Sequence, residues 1–413
     1  MKLHTFLLPM VAALAGAAVS ASHAEVIKIA HIDPYSGPAA GNNQYNVNLL
    51  KYVVELANRN GWAGANNSFE VVGFDNKNSA QESVLQFKNA TDQGIQYVVQ
   101  GLSSAVGLAL VDAANRHNER NPGKEVLILT PNDQATEMTN ENCSFWFFRF
   151  DANVDMRSQA LASYVAKNKS IKKTYLINQN YAMGQQVSGM MKTELKRKRP
   201  DVQIVGDDLH PMLQVKDFAP YVAKIKASGA DSIITANWNT DLSLLVRALK
   251  DSNLKVPLYT YNASSPGMPT ALAAAGAENV KLVTYWVTND DLKDSANVIN
   301  AFKTQTGNDF TSLPWYNMMR MLSQAIKDGK SAKPLAVARA LEDMRITSLN
   351  GELQMRKSDH QIQQPLVIAE WKKANGKDVK YDQEKTGWGF KTIEKIDAYV
   401  SSLPTTCQMK RPT

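Results

Sequence analysis

The stretch IQYVVQGLSSAVGLAL, residues 95–110, joins a short apolar run to a segment whose apolar residues have helical spacing. Its first half is typical of a buried strand and its second half of an amphipathic helix. Gly101 allows a tight turn between the two, and Ser103 or Ser104 is placed to cap the helix. The N–H groups of the first helical turn can then bind an anion at the end of the strand. A serine cap without any ligand is the alternative interpretation.

This strand-to-helix pattern recurs throughout residues 25–130. Helical stretches alternate with β-rich runs, which read VIKIAHI (26–32), FEVVGF (69–74), IQYVVQ (95–100) and EVLIL (125–129). Strands separated by helices are parallel, have right-handed crossovers and need helices on both faces of their sheet. The pattern therefore predicts a doubly wound α/β lobe.

A second series of the same kind begins with a predicted helix over 156–167 and ends with the run VPLYTY, residues 256–261. Helices predicted over 295–305, 315–327 and 334–344 then have no strands between them, and such helices need an existing sheet to cover. We expect them on the first lobe, so that the chain crosses between lobes more than once. Near the C-terminus the sequence predicts a hairpin of residues 351–356 with 364–377 and a helix over 393–401.

Residues 1–24 have the pattern of a secretory signal, with Lys2, an apolar run over residues 6–19 and a small-residue site that ends at Ala24. The apolar run is shorter than the roughly 20 residues needed to span a bilayer. We therefore expect an exported protein, located in the periplasm, whose mature chain begins near Glu25. The mature chain exceeds the size of a single hydrophobic core, which favours two domains.

The composition and the spacing of reactive residues argue against several classes of function. The net charge of +7 is spread along the chain, so we predict no nucleic-acid partner. The histidines lack the HExxH spacing of a metal site, and neither a GxSxG turn nor a GxGxxG loop is present. We therefore expect no enzymatic activity, no metal and no cofactor.

The chain has two cysteines, Cys143 and Cys407. An oxidising compartment favours their pairing, and we predict one disulfide. It would close a very long loop, worth about 5 kcal/mol in the chain-entropy model. Two separate thiols are the alternative, because the sequence alone does not show that the two sites meet.

Several runs of residues together carry a family resemblance. They are IKIAHIDPYSGPAA (27–40), GLSSAVGLAL (101–110), LTPNDQATEMT (129–139), FRFDANVDMRSQALASYV (148–165), INQNYAMGQQV (177–187) and NWNTDLSLLVRAL (237–249). Because these runs occur in this order and spacing behind a signal sequence, the chain resembles the leucine/isoleucine/valine-type solute-binding proteins of ABC transporters. The resemblance covers nearly the whole mature chain.

The resemblance implies a type I periplasmic binding fold, in which two doubly wound lobes are joined by a multi-strand hinge with three crossings. Lobe 1 would comprise residues 25–148 and 288–350, lobe 2 residues 149–287 and 351–390, and residues 391–413 a tail tied to lobe 1. It also implies a monomer that closes around an amino acid, branched-chain or similarly hydrophobic, and presents it to an inner-membrane ABC permease. A secreted enzyme and a ligand-sensing regulator are the competing classes, and the export signal argues against the regulator.

The resemblance also assigns candidate contacts of the solute. A serine loop like Ser103-Ser104 and a threonine loop like Thr130 would hold its carboxylate, and Tyr181 from lobe 2 would cover it. An acid at the head of a lobe 2 helix, here Asp241, would accept its ammonium group. The other candidate contacts are Asn42, Asn132, Trp238 and Asn262.

This chain departs from the family pattern at several positions. Ala182 replaces the glycine that usually follows the tyrosine, so this loop can differ in shape. Asp241 is one methylene shorter than the usual glutamate. Asn132 and Asp133 stand where small residues usually follow the threonine, and they are either new polar contacts or turn formers.

The orientation of Asp241 decides between two classes of solute. If it faces the cleft, its carboxylate complements the ammonium group of a zwitterionic amino acid. If it faces solvent, it stabilises only its own helix, and the solute is an aromatic or other small carboxylate, or an amide. Trp238 and Trp286 would then stack on an aromatic acid, with packing in the core as the alternative for Trp286.

Overall fold

The structure, a computed structural model, describes residues 25–290 and 295–412. The predicted signal peptide, residues 1–24, lies outside the described residues. Two large sheets and one small antiparallel sheet organise the chain.

The first lobe is built from strands that alternate with helices. Its elements are β1 (Glu25–Asp33), α1 (Ala40–Arg59), β2 (Asn67–Asp75), α2 (Ala80–Asp92), β3 (Tyr97–Val99), α3 (Ser104–Arg120), β4 (Leu127–Thr130) and β5 (Phe147–Arg149). The strands pair in parallel in the order β2-β1-β3-β4-β5. Apolar residues of α1 pack on one face of this sheet, and those of α2 and α3 pack on the other. The prediction of a doubly wound lobe is confirmed.

The second lobe repeats this arrangement. Its elements are α4 (Val154–Lys167), β6 (Lys173–Gln179), α5 (Ala182–Lys198), β7 (Gln203–His210), α6 (Ala219–Ser228), β8 (Ser232–Thr235), α7 (Asn239–Asp251), β9 (Leu258–Thr260), α8 (Met268–Ala274) and β10 (Val280–Thr284). The five strands pair in parallel in the order β7-β6-β8-β9-β10. The carboxyl ends of both parallel sheets face the same cleft, which is where open α/β sheets bind ligands.

Three further helices return to the first lobe, as predicted. They are α9 (Ser295–Thr306), α10 (Leu313–Gly329) and α11 (Pro334–Leu341). The ring of Phe302 in α9 makes edge-to-face contacts with Tyr45 and Tyr52 of α1. The buried face of α10 joins the same apolar core as α1, because its apolar residues recur at helical spacing.

The C-terminal strands differ from the prediction. They are β11 (Arg345–Ser348), β12 (Gly351–Met355), β13 (Ile362–Gln363), β14 (Leu366–Lys373) and β15 (Trp388–Ile396). The predicted hairpin of residues 351–356 with 364–377 is wrong, since β12 pairs with β11 and β13, whereas β14 pairs with β10 and β15. The predicted helix over 393–401 is also wrong. The edge of β14 recruits this segment as a strand as far as Ile396, and only a 3-10 turn, Ala398–Ser401, follows.

Two of the segments that connect the lobes run side by side. The backbone N–H of Arg149 donates to the carbonyl of His360 at 3.0 Å, and the side-chain amide of Gln361 donates to the carbonyl of Asp151 at 2.7 Å. These contacts couple the exit from β5 to the segment that leads into β14. The lobe boundaries given above stay a prediction.

A disulfide joins Cys143 and Cys407, whose Cα atoms are 5.7 Å apart, so the predicted pairing is confirmed. It attaches the C-terminal tail to the loop before β5. The hydroxyl of Thr405 donates to the carbonyl of Thr139 at 2.8 Å and strengthens this attachment. The tail therefore spans from the last strand of the second lobe back to the first lobe.

Candidate ligand-binding cleft

The cleft between the lobes contains a cavity of about 160 Å³. Seven of the nine predicted contact residues line it: Asn42, Ser103, Ser104, Asn132, Tyr181, Trp238 and Asn262. Residues from both lobes therefore converge on one space, although they come from loops that are far apart in the sequence. This convergence follows from the topology, because each of these loops leaves the carboxyl end of a parallel strand or begins a helix beside one.

The loop between β3 and α3 presents free donors to the cleft. Ser103 is the N-cap residue of α3, with extended backbone, but its side chain makes no capping hydrogen bond. The hydroxyl of Ser104 instead accepts the backbone N–H groups of Gln134 and Ala135, at 3.2 and 3.3 Å. The prediction that one of the two serines caps α3 is therefore wrong. As a result, the N–H groups of the first turn of α3 stay available to a ligand.

Two helices of the second lobe also begin in the cleft without a side-chain cap. Tyr181 is the N-cap residue of α5 and Trp238 that of α7, and neither makes a capping hydrogen bond. Elsewhere, Ser79 caps α2 and Asn153 caps α4 through their side chains. The positive ends of α3 and α5 are therefore open where they meet the cleft, which favours an anionic group on the ligand, whereas the first turn of α7 already holds the carboxylate of Asp241.

Part of the wall contributed by the second lobe is aromatic and thioether in character, beside the polar residues Asn262, Ser264 and Ser265. The indole N–H of Trp238 donates to the hydroxyl of Tyr181 at 3.1 Å, and this hydroxyl lies 3.1 Å from the sulfur of Met183. Tyr261 and Met212 line the same cavity. Such a wall suits an apolar or aromatic body on the ligand.

Arg157 is the only cationic side chain among the described residues that line the cavity. Its Nη2 donates to both carboxylate oxygens of Asp151, each at 2.8 Å, and its Nη1 donates to the carbonyl of Tyr261 at 3.2 Å. Burial raises the pKa of Asp151, and Arg157 opposes this effect. Because the donors of Arg157 are already engaged, the pair supports the floor of the cleft and leaves anion binding to the helix N-termini.

Asp133 and its neighbours form the part of the first-lobe wall that follows β4. Burial, followed by the nearby carboxylate of Asp33, raises the pKa of the Asp133 carboxyl well above its usual value, while Thr130 and Arg149 act in the opposite direction. The second carboxyl oxygen of Asp133 has no hydrogen-bond partner among the described residues. The same is true of the side-chain carbonyl of Gln134, and both oxygens are buried. The Asp133 oxygen faces Gly107 of α3, where an added β-carbon would lie 2.1 Å from it.

Two predicted contacts do not line the cavity. The hydroxyl of Thr130 is buried and accepts the backbone N–H of Asp133 at 3.2 Å, so it shapes the loop behind the cleft. Asp241 has no exposed surface and faces neither the cleft nor solvent. Trp286 lies in the core, 2 % exposed and in edge-to-face contact with Phe310, in accordance with its core alternative.

The sequence reasoning missed Asp151, Arg157, Tyr261 and Met212 as parts of the cleft. A signal for the first two was present in the run FRFDANVDMRS, which places an acid and a base six residues apart at the predicted lobe boundary. No local signal marks Tyr261 or Met212, because both are positioned by the packing of strand ends that are distant in the sequence.

Within the described residues, no group of three or more histidine, cysteine, aspartate or glutamate side chains is arranged to hold a metal ion. The helices of residues 25–290 and 295–412 include none that is long and apolar enough to cross a bilayer.

The two lobes, the shared cleft and the open helix N-termini define a solute-binding protein of the type I periplasmic fold. The chain belongs to the periplasmic binding protein family, whose model matches residues 26–377. Among its relatives, it is similar to the Leu/Ile/Val-binding protein homolog 4 of Brucella abortus (strain 2308), with 31% identity over 414 residues that cover 97% of each chain.

Two solved structures resemble this one over nearly all of its length. The leucine-, isoleucine-, valine-, threonine-, and alanine-binding protein of Brucella ovis, in a closed conformation, has a TM-score of 0.82 and 28% identity, covering 94% of this chain and 100% of its own. A solute-binding protein of an R. palustris ABC transporter, in complex with benzoate, has a TM-score of 0.77 and 17% identity, covering 93% and 100%. At that identity the second likeness shows the fold alone.

Proposed function

We propose that this protein is the periplasmic receptor of an ABC importer and binds a hydrophobic amino acid, branched-chain or similar, in the cleft between its lobes. The solute contacts both lobes only when they are closed, so it shifts the equilibrium towards the closed form. The closed form then delivers the solute to an inner-membrane permease. The family and its Leu/Ile/Val-binding relatives support this role.

The observation that carries the proposal is the open N-terminus of α3. The solute carboxylate binds the N–H groups of its first turn and the hydroxyl of Ser103, which has no partner among the described residues. Hydrogen bonds from neutral donors to a charged acceptor are shorter and stronger than neutral ones, and the helix dipole adds to them. No free cation is needed, which fits the engagement of Arg157 with Asp151.

The ammonium group of the solute meets the loop after β4 in this proposal. Asp133 and Gln134 line the cavity there, and each has a buried acceptor oxygen without a partner among the described residues. The apolar side chain of the solute lies against Tyr181, Trp238 and Met183. This assignment takes over the role that the family resemblance gives to Asp241.

A second candidate is an aromatic or other small carboxylate without an ammonium group, or an amide. It is favoured by the position of Asp241 outside the cavity and by the aromatic wall of Tyr181, Trp238 and Tyr261. In this case the same α3 N-terminus holds the carboxylate.

Isothermal titration calorimetry with L-leucine, L-phenylalanine, leucine methyl ester and benzoate separates these candidates. We expect L-leucine to bind and its methyl ester, which lacks the carboxylate, to bind at least about tenfold more weakly, because a hydrogen bond to a charged group contributes about 1.5–3 kcal/mol. Binding of benzoate without binding of either amino acid would establish the second candidate.

The S103A variant tests the carboxylate site itself. We expect it to weaken binding of the recognised carboxylate by about tenfold while the free energy of unfolding of the ligand-free protein stays the same, since the Ser103 hydroxyl has no partner in the described residues. S104A is the contrasting variant, because it removes the acceptor of two backbone N–H groups and should lower stability. Unchanged affinity in S103A would remove the proposed site.

A further inference from the structure

Asp241 is the residue whose placement departs most from the family expectation. It is the third residue of α7 and has no exposed surface. One of its carboxylate oxygens, Oδ2, accepts the backbone N–H of Leu213 at 2.8 Å and the side-chain amide of Gln179 at 2.7 Å. Its carboxylate therefore holds the loop that follows β7.

This loop has a backbone that needs such support. Leu213 has a φ of 58°, in the left-handed region that residues with a β-carbon rarely adopt. The residue before the loop, His210, is fully buried, and its ring nitrogens lie 3.2 Å from the carbonyl of Pro211 and 3.1 Å from the side-chain oxygen of Asn237. Contacts of His210 thus hold the start of the loop, and the carboxylate of Asp241 holds its end at Leu213. Strained backbone that is fixed in this way is typical of segments with a functional role.

The residue between these two anchors is Met212, which lines the ligand cavity. Pro211 precedes it and Leu213 follows it, so the position of Met212 depends on the contacts made by His210 and Asp241. A methionine in such a position closes part of the apolar wall and limits the size of the group that can lie against it.

We infer that Asp241 is a positioning residue that sets the size selectivity of the cleft. It fixes the left-handed conformation of Leu213 and thereby holds Met212 in the cavity wall. The part of the inference that concerns solutes rests on the proposed function, whereas the part that concerns the loop does not. Asp241 thus limits the size of the solute through Met212, without contacting the solute itself.

The loop arm of the test needs no ligand. Hydrogen–deuterium exchange of the ligand-free protein should show that D241A loses at least about tenfold of the protection of the Leu213 amide, because this amide loses its acceptor. D241N should restore the protection, since both donors bind the same oxygen of Asp241 and an asparagine carbonyl can take its place. Equal protection in D241A and in the wild type would overturn the inference, even if the proposed function holds.

The selectivity arm compares the affinities for L-alanine and L-phenylalanine by calorimetry. M212A and D241A should each shift the affinity ratio about tenfold towards L-phenylalanine, and the double variant should shift it no further, because both changes act on the same side chain. D231A is the matched control. Like Asp241, Asp231 accepts two N–H donors with one oxygen, in its case the backbone N–H groups of Lys172 and Lys173, and it does not line the cavity.

The outcomes separate the inference from the proposed function. If neither amino acid nor benzoate binds to the wild type, the proposed function fails, and the exchange arm still decides the role of Asp241. If D241N weakens L-leucine but leaves benzoate unchanged, Asp241 is a direct acceptor of the ammonium group, and the inference is wrong. An unchanged affinity ratio in M212A contradicts the role of Met212.

Discussion

At the scale of single residues, the cleft is defined by which polar groups are already satisfied and which are not. Arg157 and Asp151 satisfy each other, so neither is free for a ligand. Ser103 lines the cavity and has no side-chain partner among the described residues, whereas the unpartnered carboxyl oxygen of Asp133 is buried against Gly107 of α3. A buried polar atom without a partner costs free energy, and in a binding protein the ligand can remove that cost.

The carboxyl of Asp133 predicts a dependence of stability on pH. Burial and the neighbouring Asp33 raise its pKa in the folded protein, so the folded state binds this proton more tightly than the unfolded chain does. The stabilisation is fully present below the unfolded pKa and is lost as the pH rises through the folded pKa. The D133N variant should therefore lose less stability than the wild type as the pH increases from 4 to 9.

Urea denaturation of the ligand-free proteins across that pH range measures this difference. D112N is a suitable control, since Asp112 lies on the exposed side of α3 and should follow the wild-type curve. Parallel curves for D133N and the wild type would show that Asp133 is ionised in the folded protein.

At the scale of elements, the start of α5 shows how a missing side chain shapes the cleft. A β-carbon on Gly184 would lie 1.9 Å from the carbonyl oxygen of Gln179, at the end of β6. The glycine therefore lets the helix begin close to the strand end and directs Tyr181, between them, into the cavity. The helix and the strand end approach each other most closely at Gly184, two residues after Ala182. Alanine can therefore occupy position 182, where the family usually has glycine.

The G184A variant tests this close approach. We expect it to lower the free energy of unfolding by about 1–3 kcal/mol, because the added methyl group forces the helix away from the backbone of Gln179. It should also weaken ligand binding, since Tyr181 moves with the start of the helix. Gly189, exposed in the same helix with no atom within 4 Å of an added β-carbon, provides the control. There, alanine should raise stability by up to about 1 kcal/mol.

Chemical denaturation and calorimetry of both variants check the prediction. A G184A protein with wild-type stability and affinity would mean that the start of α5 adjusts without cost.

At the scale of the whole molecule, the lobes touch each other across the mouth of the cleft. Asn239 of the second lobe donates to the side-chain oxygen of Asn42 at 3.2 Å, and the backbone N–H of Glu384 donates to the carboxylate of Asp309 at 2.5 Å. In the proposed hinge mechanism, these contacts form only in the closed form. If they lower the free energy of the closed state, as the proposed function implies, they contribute to affinity without touching the solute.

The pair of adjacent glutamines in α5 offers a test of this contribution. The side-chain carbonyl of Gln186 accepts the backbone N–H of Thr136 at 2.9 Å, and its amide donates to Glu137, both in the first lobe. The amide of Gln185 donates instead to Asn180, within its own lobe. We expect Q186A to weaken solute binding by about tenfold and Q185A to leave it unchanged. Titration calorimetry measures both affinities, and small-angle scattering of the ligand-free proteins should show a more open Q186A.

The disulfide acts on the same scale because it links residues 264 positions apart. We expect the C143S/C407S double variant to lose about 2–5 kcal/mol of unfolding free energy, measured by denaturation in the absence of reductant. Reduction of the wild type should reproduce the loss, whereas reductant should not affect the double variant. If the double variant is as stable as the oxidised wild type, the noncovalent contacts of the tail are sufficient to hold it on the first lobe.

Much of the fold was predictable because its signals are local. The alternation of strand and helix patterns over residues 25–261 is encoded by periodicity within each segment, and the parallel topology follows from it. The pairing of Cys143 with Cys407 was predicted from their number and the expected oxidising compartment, but only the structure shows that the two sites meet. The last strand, Trp388–Ile396, was not predictable in this way, because the free edge of β14 decided its conformation.

The sequence by itself determined the two-lobed α/β architecture, the place of the cleft at the ends of the strands and seven of the residues that line it. Only the tertiary structure decided how Asp241 is used. Its direction depends on donors 28 and 62 residues away, on Leu213 and Gln179, which no pattern around α7 can reveal. Periodicity specifies which elements form, but the direction of a polar side chain at a helix start depends on which distant groups packing brings within hydrogen-bond distance.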